Sequence, residues 1–335
     1  MGTAILATLT QLFAGHTTLG CDAARVLLVA AWTLMCTFTV MFAVRCRQEP
    51  GAWNASLRGV GSSAWGMVSM GVLAVGGATA TVGVAWTAVE SSVAWSLDEA
   101  LWVVGTCIGV VSTVGFVAML IRERPAQPRP PWGLAVVPPM VSATCGAPFV
   151  GFIEAPALAW ALVFILVACF VCSLVLGSII FGMSYRYHFG VSAIPLSLSA
   201  SAWIPLGVVG QSTAAAQAIT WQMPVLVTAD TASRLHHAAN VYGFVMLGLA
   251  IPLVVFATVM TVRGALQRMP FSPGWWALTF PLGTVALGAL NLSIGTQTHG
   301  YYLVGELVWS ALICTWSLCV VATGYAMRKA SAWAR

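Results

Sequence analysis

Few side chains in this sequence are equipped for chemistry, and their spacing decides which kinds stay open. Cys169 and Cys172 stand at CxxC spacing, that of a dithiol redox pair, but both fall inside a long apolar run, where cysteine serves as small apolar filler. None of the nine cysteines belongs to a CxxCH sequence or to a His-paired metal spacing, so no disulfide framework, cofactor or metal site is assigned. His16, His188, His236, His237 and His299 lie near the ends of apolar runs, away from the mid-run positions at which paired histidines hold haem. A hydrolytic dyad needs Ser with His, or paired Asp, and no run interior offers the His or the Asp. Glu306, in YLVGELVWS, is the one carboxylate well placed within an apolar run, about one turn from its outer end, where a snorkelling or outer-mouth position weighs equally with a functional one. No nucleotide motif is present, so ATP is not expected to drive any process here. A membrane enzyme or redox subunit would therefore lack its ligands, and no catalytic residue is assigned.

What remains is the chemistry of hydroxyls, amides and broken backbone, and the elements that hold them are set by composition. Of 335 residues, 59% are hydrophobic and 7% charged, whereas a soluble domain carries roughly a quarter charged residues. Such a charge complement cannot cover the surface of a soluble protein this large, so the lipid bilayer is the expected solvent. Thirty-two glycines and 16 prolines lie scattered through the apolar stretches, as in membrane helices whose freed backbone groups are satisfied by neighbours or a cavity.

Apolar runs of about 20 residues, enough to span a bilayer, occur at roughly 26–44, 61–85, 100–121, 132–153, 157–183, 191–214, 237–262, 275–297 and 303–327. The shorter Gly2–Ala14 segment is counted as helix 1, either clipped or continued upstream, since it has neither the basic start nor the cleavage site of a signal peptide. Twelve of the 14 basic residues fall in alternate links and the C-terminal tail: Arg45, Arg47, Arg58, Arg122, Arg124, Arg129, Arg186, Arg263, Arg268, Arg328, Lys329 and Arg335. Glu90, Asp98, Glu99 and Glu154 read as belonging to the other links. The positive-inside rule then puts both termini in the cytoplasm and favours ten helices. The net charge of +5 is thus topological and implies no nucleic-acid partner. The links are short, so residues 1–335 form one all-α transmembrane domain.

Polar residues at depth, namely Gln211, Asn240 and Asn291, read first as helix-to-helix hydrogen bonds and second as pore lining. Ser, Thr, Gly and proline concentrate in helices 5, 7 and 9 (Pro138, Pro139, Pro148, Pro195, Pro205 and Pro281), with Pro252 the main exception. Proline breaks the helical ladder, and broken backbone at membrane depth belongs where it is buried in protein or lines a cavity. An inner ring of odd-numbered helices follows. No Lys or Arg stands between the ends of any helix, so an anion would be stabilised by helix-terminus dipoles, hydroxyls and backbone donors.

Three segments carry a family resemblance. MPFSPGWWALTFPLGT (Met269 to Thr284), WIPLGVVGQSTAAA (Trp203 to Ala216) and MGTAI (Met1 to Ile5) resemble motifs of the tellurite-resistance/dicarboxylate transporter family, which includes slow anion channels, malate permeases and sulfite efflux pumps. The resemblance implies five helical hairpins with odd helices around a central pore, commonly as a homotrimer. It also implies an anion channel or transporter for a C4-dicarboxylate, sulfite or similar small inorganic anion. Phe280 is implied as the aromatic ring that blocks the pore. Pore-lining or kink candidates are Pro281, Gly283, Thr284, Pro139, Ser142, Ser201, Pro205 and Gln211. Trp275 and Trp276 read as anchors at the headgroup level. A non-transporting membrane scaffold is the remaining alternative.

Overall fold

The computed structural model describes residues 1–125 and 127–333, apart from the side chains of Val60 and of residues 330–333; Arg335, counted above among the C-terminal basic residues, lies outside the described residues. Among the described residues, ten main helical segments form the ring and its outer layer, α1 Gly2–Ala14, α2 Thr18–Gln48, α3 Gly61–Val84, α4 Ser91–Glu123, α5 Pro130–Phe152, α6 Pro156–Gly190, α7 Ile204–Trp221, α8 Ala229–Leu266, α9 Pro273–Thr296 and α10 His299–Trp333, beside a one-turn helix Ala52–Ser56 and short 3-10 turns in the links. Among the described residues, eight of these are long and apolar enough to cross a membrane, while α1 is short and α7 falls outside that set. No strand occurs among the described residues.

Packing follows a five-fold rule. Each odd helix pairs with the even helix after it, and the odd helices touch in sequence, α1 on α3, α3 on α5, α5 on α7, α7 on α9 and α9 back on α1. Every even helix also leans on the next odd helix of the ring: α2 on α3, α4 on α5, α6 on α7, α8 on α9, and α10 on α1. In their most apolar 18 residues, α3, α5 and α9 are 56%, 78% and 78% buried, against 11–33% for the even helices. The exposed faces of the even helices carry Val111, Phe164, Ile179, Val255 and Val321, an apolar surface suited to lipid. The expected odd-inside arrangement is therefore the observed one.

Proline sets where the inner helices break. In α5, a 3-10 segment Pro130–Ala135 gives way to an α-helix Pro138–Gly146 and then a second 3-10 segment Ala147–Phe152. Likewise 3-10 segments Leu196–Trp203 and Pro273–Leu278 precede the α-helical Ile204–Trp221 and Phe280–Thr296. Pro139 has no N–H to give the carbonyl four residues back. That carbonyl, Ala135 O, accepts instead from Thr113 Oγ1 of α4 at 2.8 Å, and Val136 O from Ser173 Oγ of α6 at 2.6 Å. Trp102 Nε1 of α4 donates to Ser142 O at 2.9 Å, Tyr185 Oη of α6 to Ala202 O, and Cys319 Sγ of α10 to Trp275 O. The even helices thus supply the donors that the broken odd helices require.

Tryptophan–threonine pairs sew the layers together: Trp32 to Thr79, Trp203 to Thr261, Trp276 to Thr323, Trp309 to Thr10 and Trp316 to Thr3, each indole N–H on a hydroxyl oxygen. Trp276 is therefore a tie between α9 and α10 as well as a residue near a helix end. Trp275 is half-buried and donates to Pro270 O at 3.3 Å.

Candidate functional site

Two cavities lie in succession inside the ring. The larger, about 290 Å³, is lined by Ile5, Thr8 and Leu12 of α1, Ala74 and Gly77 of α3, Val141, Thr144 and Pro148 of α5, Gln211 and Ala218 of α7, and Leu287 and Asn291 of α9. Their spacing of three, four or seven residues marks one face of each odd helix. The smaller, about 20 Å³, is lined by Met1, Met70, Leu134, Val137, Ile204, Gly207, Ala277 and Pro281, which lie on the same faces nearer the arginine-rich end. A void of that size holds about one water.

Phe280 is the one residue that lines both cavities. Its ring is 4% exposed and stands at the junction where the 3-10 turn of α9 becomes α-helix. Pro281 follows at the first turn, where its missing N–H costs no helical bond, and it lines the smaller cavity. The equivalent junction of α7 puts Ile204 and Gly207 in the same wall. An aromatic ring in an otherwise apolar narrowing is a barrier to water as well as to ions.

The candidates named from sequence divide into two groups. Phe280, Pro281 and Gln211 line the cavities. Gly283 and Thr284 serve contact between helices: a Cβ on Gly283 would come within 2.7 Å of Ile5, and the backbone of Thr284 faces Gly210, while Thr284 Oγ1 bonds Pro281 O. Pro139, Ser142, Ser201 and Pro205 are buried in the ring wall. Ser142 Oγ bonds Pro138 O and Ser201 Oγ bonds Leu198 O, so these hydroxyls close local turns.

Gln211 does both things anticipated for a polar residue at depth. Its Nε2 donates to Thr144 Oγ1 at 2.8 Å, joining α7 to α5, while its Oε1 faces the cavity region without a partner. Asn240 ties α8 to α7 and α9 through Gln217 Nε2 and Gly295 O. Asn291 lines the larger cavity.

Among the carboxylates, the reading of Asp98 is corrected. Glu306 is exposed on α10 and reaches neither cavity. Asp98, read above as part of a link, lies inside α4 because that helix begins at Ser91, nine residues before the apolar run. It is 2% exposed and lines the larger cavity together with Trp95. The signal was present in the sequence: Trp95 and Asp98 are three residues apart, hence on one helical face.

The cavity walls contain no Lys, Arg or His, and among the described residues no group of His, Cys, Asp and Glu is placed to hold a metal ion. The polar lining consists of Thr8, Thr81, Thr144, Gln211, Gln222, Asn291 and Asp98, which can hold a small solute by hydrogen bonds. In comparison with known proteins, the family model described as voltage-dependent anion channel matches residues 1–324.

Proposed function

The chain belongs to the voltage-dependent anion channel family, a family of membrane anion channels and transporters, and from that premise we propose that it conducts a small anion along the axis of the odd-helix ring, with Phe280 as the gate. The substrate is a C4-dicarboxylate, sulfite or an anion of similar size. The protein works as a homotrimer in the plasma or inner membrane, with both termini in the cytoplasm, where its arginine-rich links belong.

One observation supports the gate: Phe280 is the residue common to the linings of the cavity of about 290 Å³ and the void of about 20 Å³. A mostly apolar wall with scattered hydroxyl and amide donors binds anions weakly, which suits conduction, because tight binding would slow exit. Diameter and polar lining then set which anion passes.

Purified protein in proteoliposomes tests this, with chloride, sulfite and malate fluxes measured for wild type and Phe280→Ala. Flux in the Ala variant is expected to rise by about tenfold or more, equivalent to lowering the barrier by about 1.4 kcal/mol. Unchanged flux together with a thermal midpoint depressed as for loss of a packed core aromatic, about 3–5 kcal/mol, would make Phe280 a packing residue and refute the gate.

A further inference from the structure

Asp98 is the one carboxylate in the wall of the larger cavity, and its surroundings do nothing to neutralise it. Its Oδ1 is buried without a hydrogen-bond partner and lies where a Cβ on Gly76 of α3 would be 2.5 Å away. Gly77, the next residue, faces Cys145 Sγ of α5 at a Cβ distance of 3.5 Å, so the Cys145 thiol is the titratable neighbour on the adjacent inner helix. The α3 residues in this wall, Ala74, Gly77, Ala80 and Thr81, carry no charge, nor do Gln211 of α7 and Thr8 of α1. Glu90, which precedes α4, and Glu99 on it are exposed. Arg25 of α2 is engaged with Asp22 at 3.0 Å and lies over the Trp86 ring.

An ionised carboxylate in this place is acceptor-only, and it would face an anion across a poorly screened space. A protonated carboxyl supplies an O–H donor instead. Gln211 Oε1, also without a partner in the same cavity, can accept but not donate. When Asp98 gains a proton the wall therefore loses its negative charge, and the carboxyl turns from acceptor-only to donor.

We infer that Asp98 is a proton-binding site within the anion path, admitting anions to the larger cavity when protonated and excluding them when ionised. This rests on anion passage through the ring. The proton comes from water at the end of the molecule where α4 begins, and it returns there when the carboxyl ionises. Anion flux is thereby coupled to pH without any basic residue in the path.

The test uses full-length protein in proteoliposomes with the same pH on both sides and chloride as the probe, because chloride itself does not titrate. Wild-type flux is expected to be about tenfold higher near pH 5 than near pH 8, the change expected when a carboxylate facing the path loses its charge. Asp98→Asn, neutral throughout, should stay at the high level, within about twofold across the same range. If Asp98→Asn keeps the wild-type pH slope, the inference is overturned while anion conduction stands. If wild type passes neither chloride, sulfite nor malate at any pH, conduction itself is refuted. A measurement on wild type alone guards against a misfolded variant: a carbodiimide, which attacks protonated carboxyls, should modify Asp98 at acidic pH and block flux. Resistance of Asp98 at every pH, with exposed Glu99 modified, would also overturn the inference.

Discussion

One close approach inside the ring, between α7 and α9, permits a sharp test of how the wall is held. A Cβ built on Gly210 would stand 2.3 Å from Val285 N and 2.4 Å from the carbonyl carbon of Thr284. A Cβ on Gly288 would in turn meet Gly210 O at 2.6 Å. The obstacle in each case is helical backbone, which cannot rotate aside as a flexible side chain can. Ordinary contact begins near 3.4 Å, so Gly210→Ala requires the helices to separate by about 1 Å, a shift that overpacked sites resist at a cost of about 1–3 kcal/mol and sometimes more. We expect about 3 kcal/mol here, because α9 is also held against Ile5 of α1 at Gly283 and has little room to move. For a chain of this size that is roughly a 5–10 °C fall in thermal midpoint, measured on detergent-solubilised protein by tryptophan fluorescence. Gly248→Ala is the control: it sits on the exposed face of α8 with nothing within 4 Å and should gain up to about 1 kcal/mol from helix propensity. If Gly210→Ala melts with wild type or above it, the α7–α9 contact is looser than described and the reasoning fails.

Two other outcomes follow from the fold. Thr113→Val and Ser173→Ala each strand a carbonyl at the α5 break, Ala135 O or Val136 O, and should cost about 1–3 kcal/mol; Ser178→Ala, whose hydroxyl bonds its own helix at Leu174 O, should cost far less, and equal melting of all three would contradict the repair role. A reporter inserted in the link between α4 and α5 and another at the C-terminal end should both read cytoplasm; readings on opposite sides would show that the number of crossings between them is not even.

Most of the helices were legible because a span needs a long apolar run, and such runs leave little ambiguity in a chain with so few charges. The exception is instructive. The first nine residues of α4, Ser91 to Glu99, contain three serines, Asp98 and Glu99, and by hydropathy they read as a link. They are helical because Ala94 and Asp98 pack inward against α3, a tertiary reason that composition does not carry. The inner-ring assignment was legible from proline, since breaks need partners and only a surrounded helix has them. The cavity stripe was not, because Ile5, Leu12, Ala74 and Ala218 are the same residue types that fill a core. Gly283 shows the same ambiguity from the other side: a small residue serves equally to leave space and to admit a neighbour, and here it admits Ile5.

The donors that meet the broken backbone also decide the sign of the field along the axis. A proline break releases a carbonyl, the negative end of a peptide dipole, and a ring of such groups turned inward would favour cations, as carbonyl-lined filters do. In this ring Ala135 O, Val136 O, Ser142 O, Ala202 O and Trp275 O are each taken by a hydroxyl, indole, phenol or thiol from an even helix behind the wall. Their partial negative charge is spent away from the axis. The same breaks start new α-helical segments at Pro138, Ile204 and Phe280, and the start of a helix carries partial positive charge. On the proposed path, a wall without arginine or lysine would thereby gain a preference for anions from its backbone once Asp98 is neutral, and the even helices would set that preference without touching the ion.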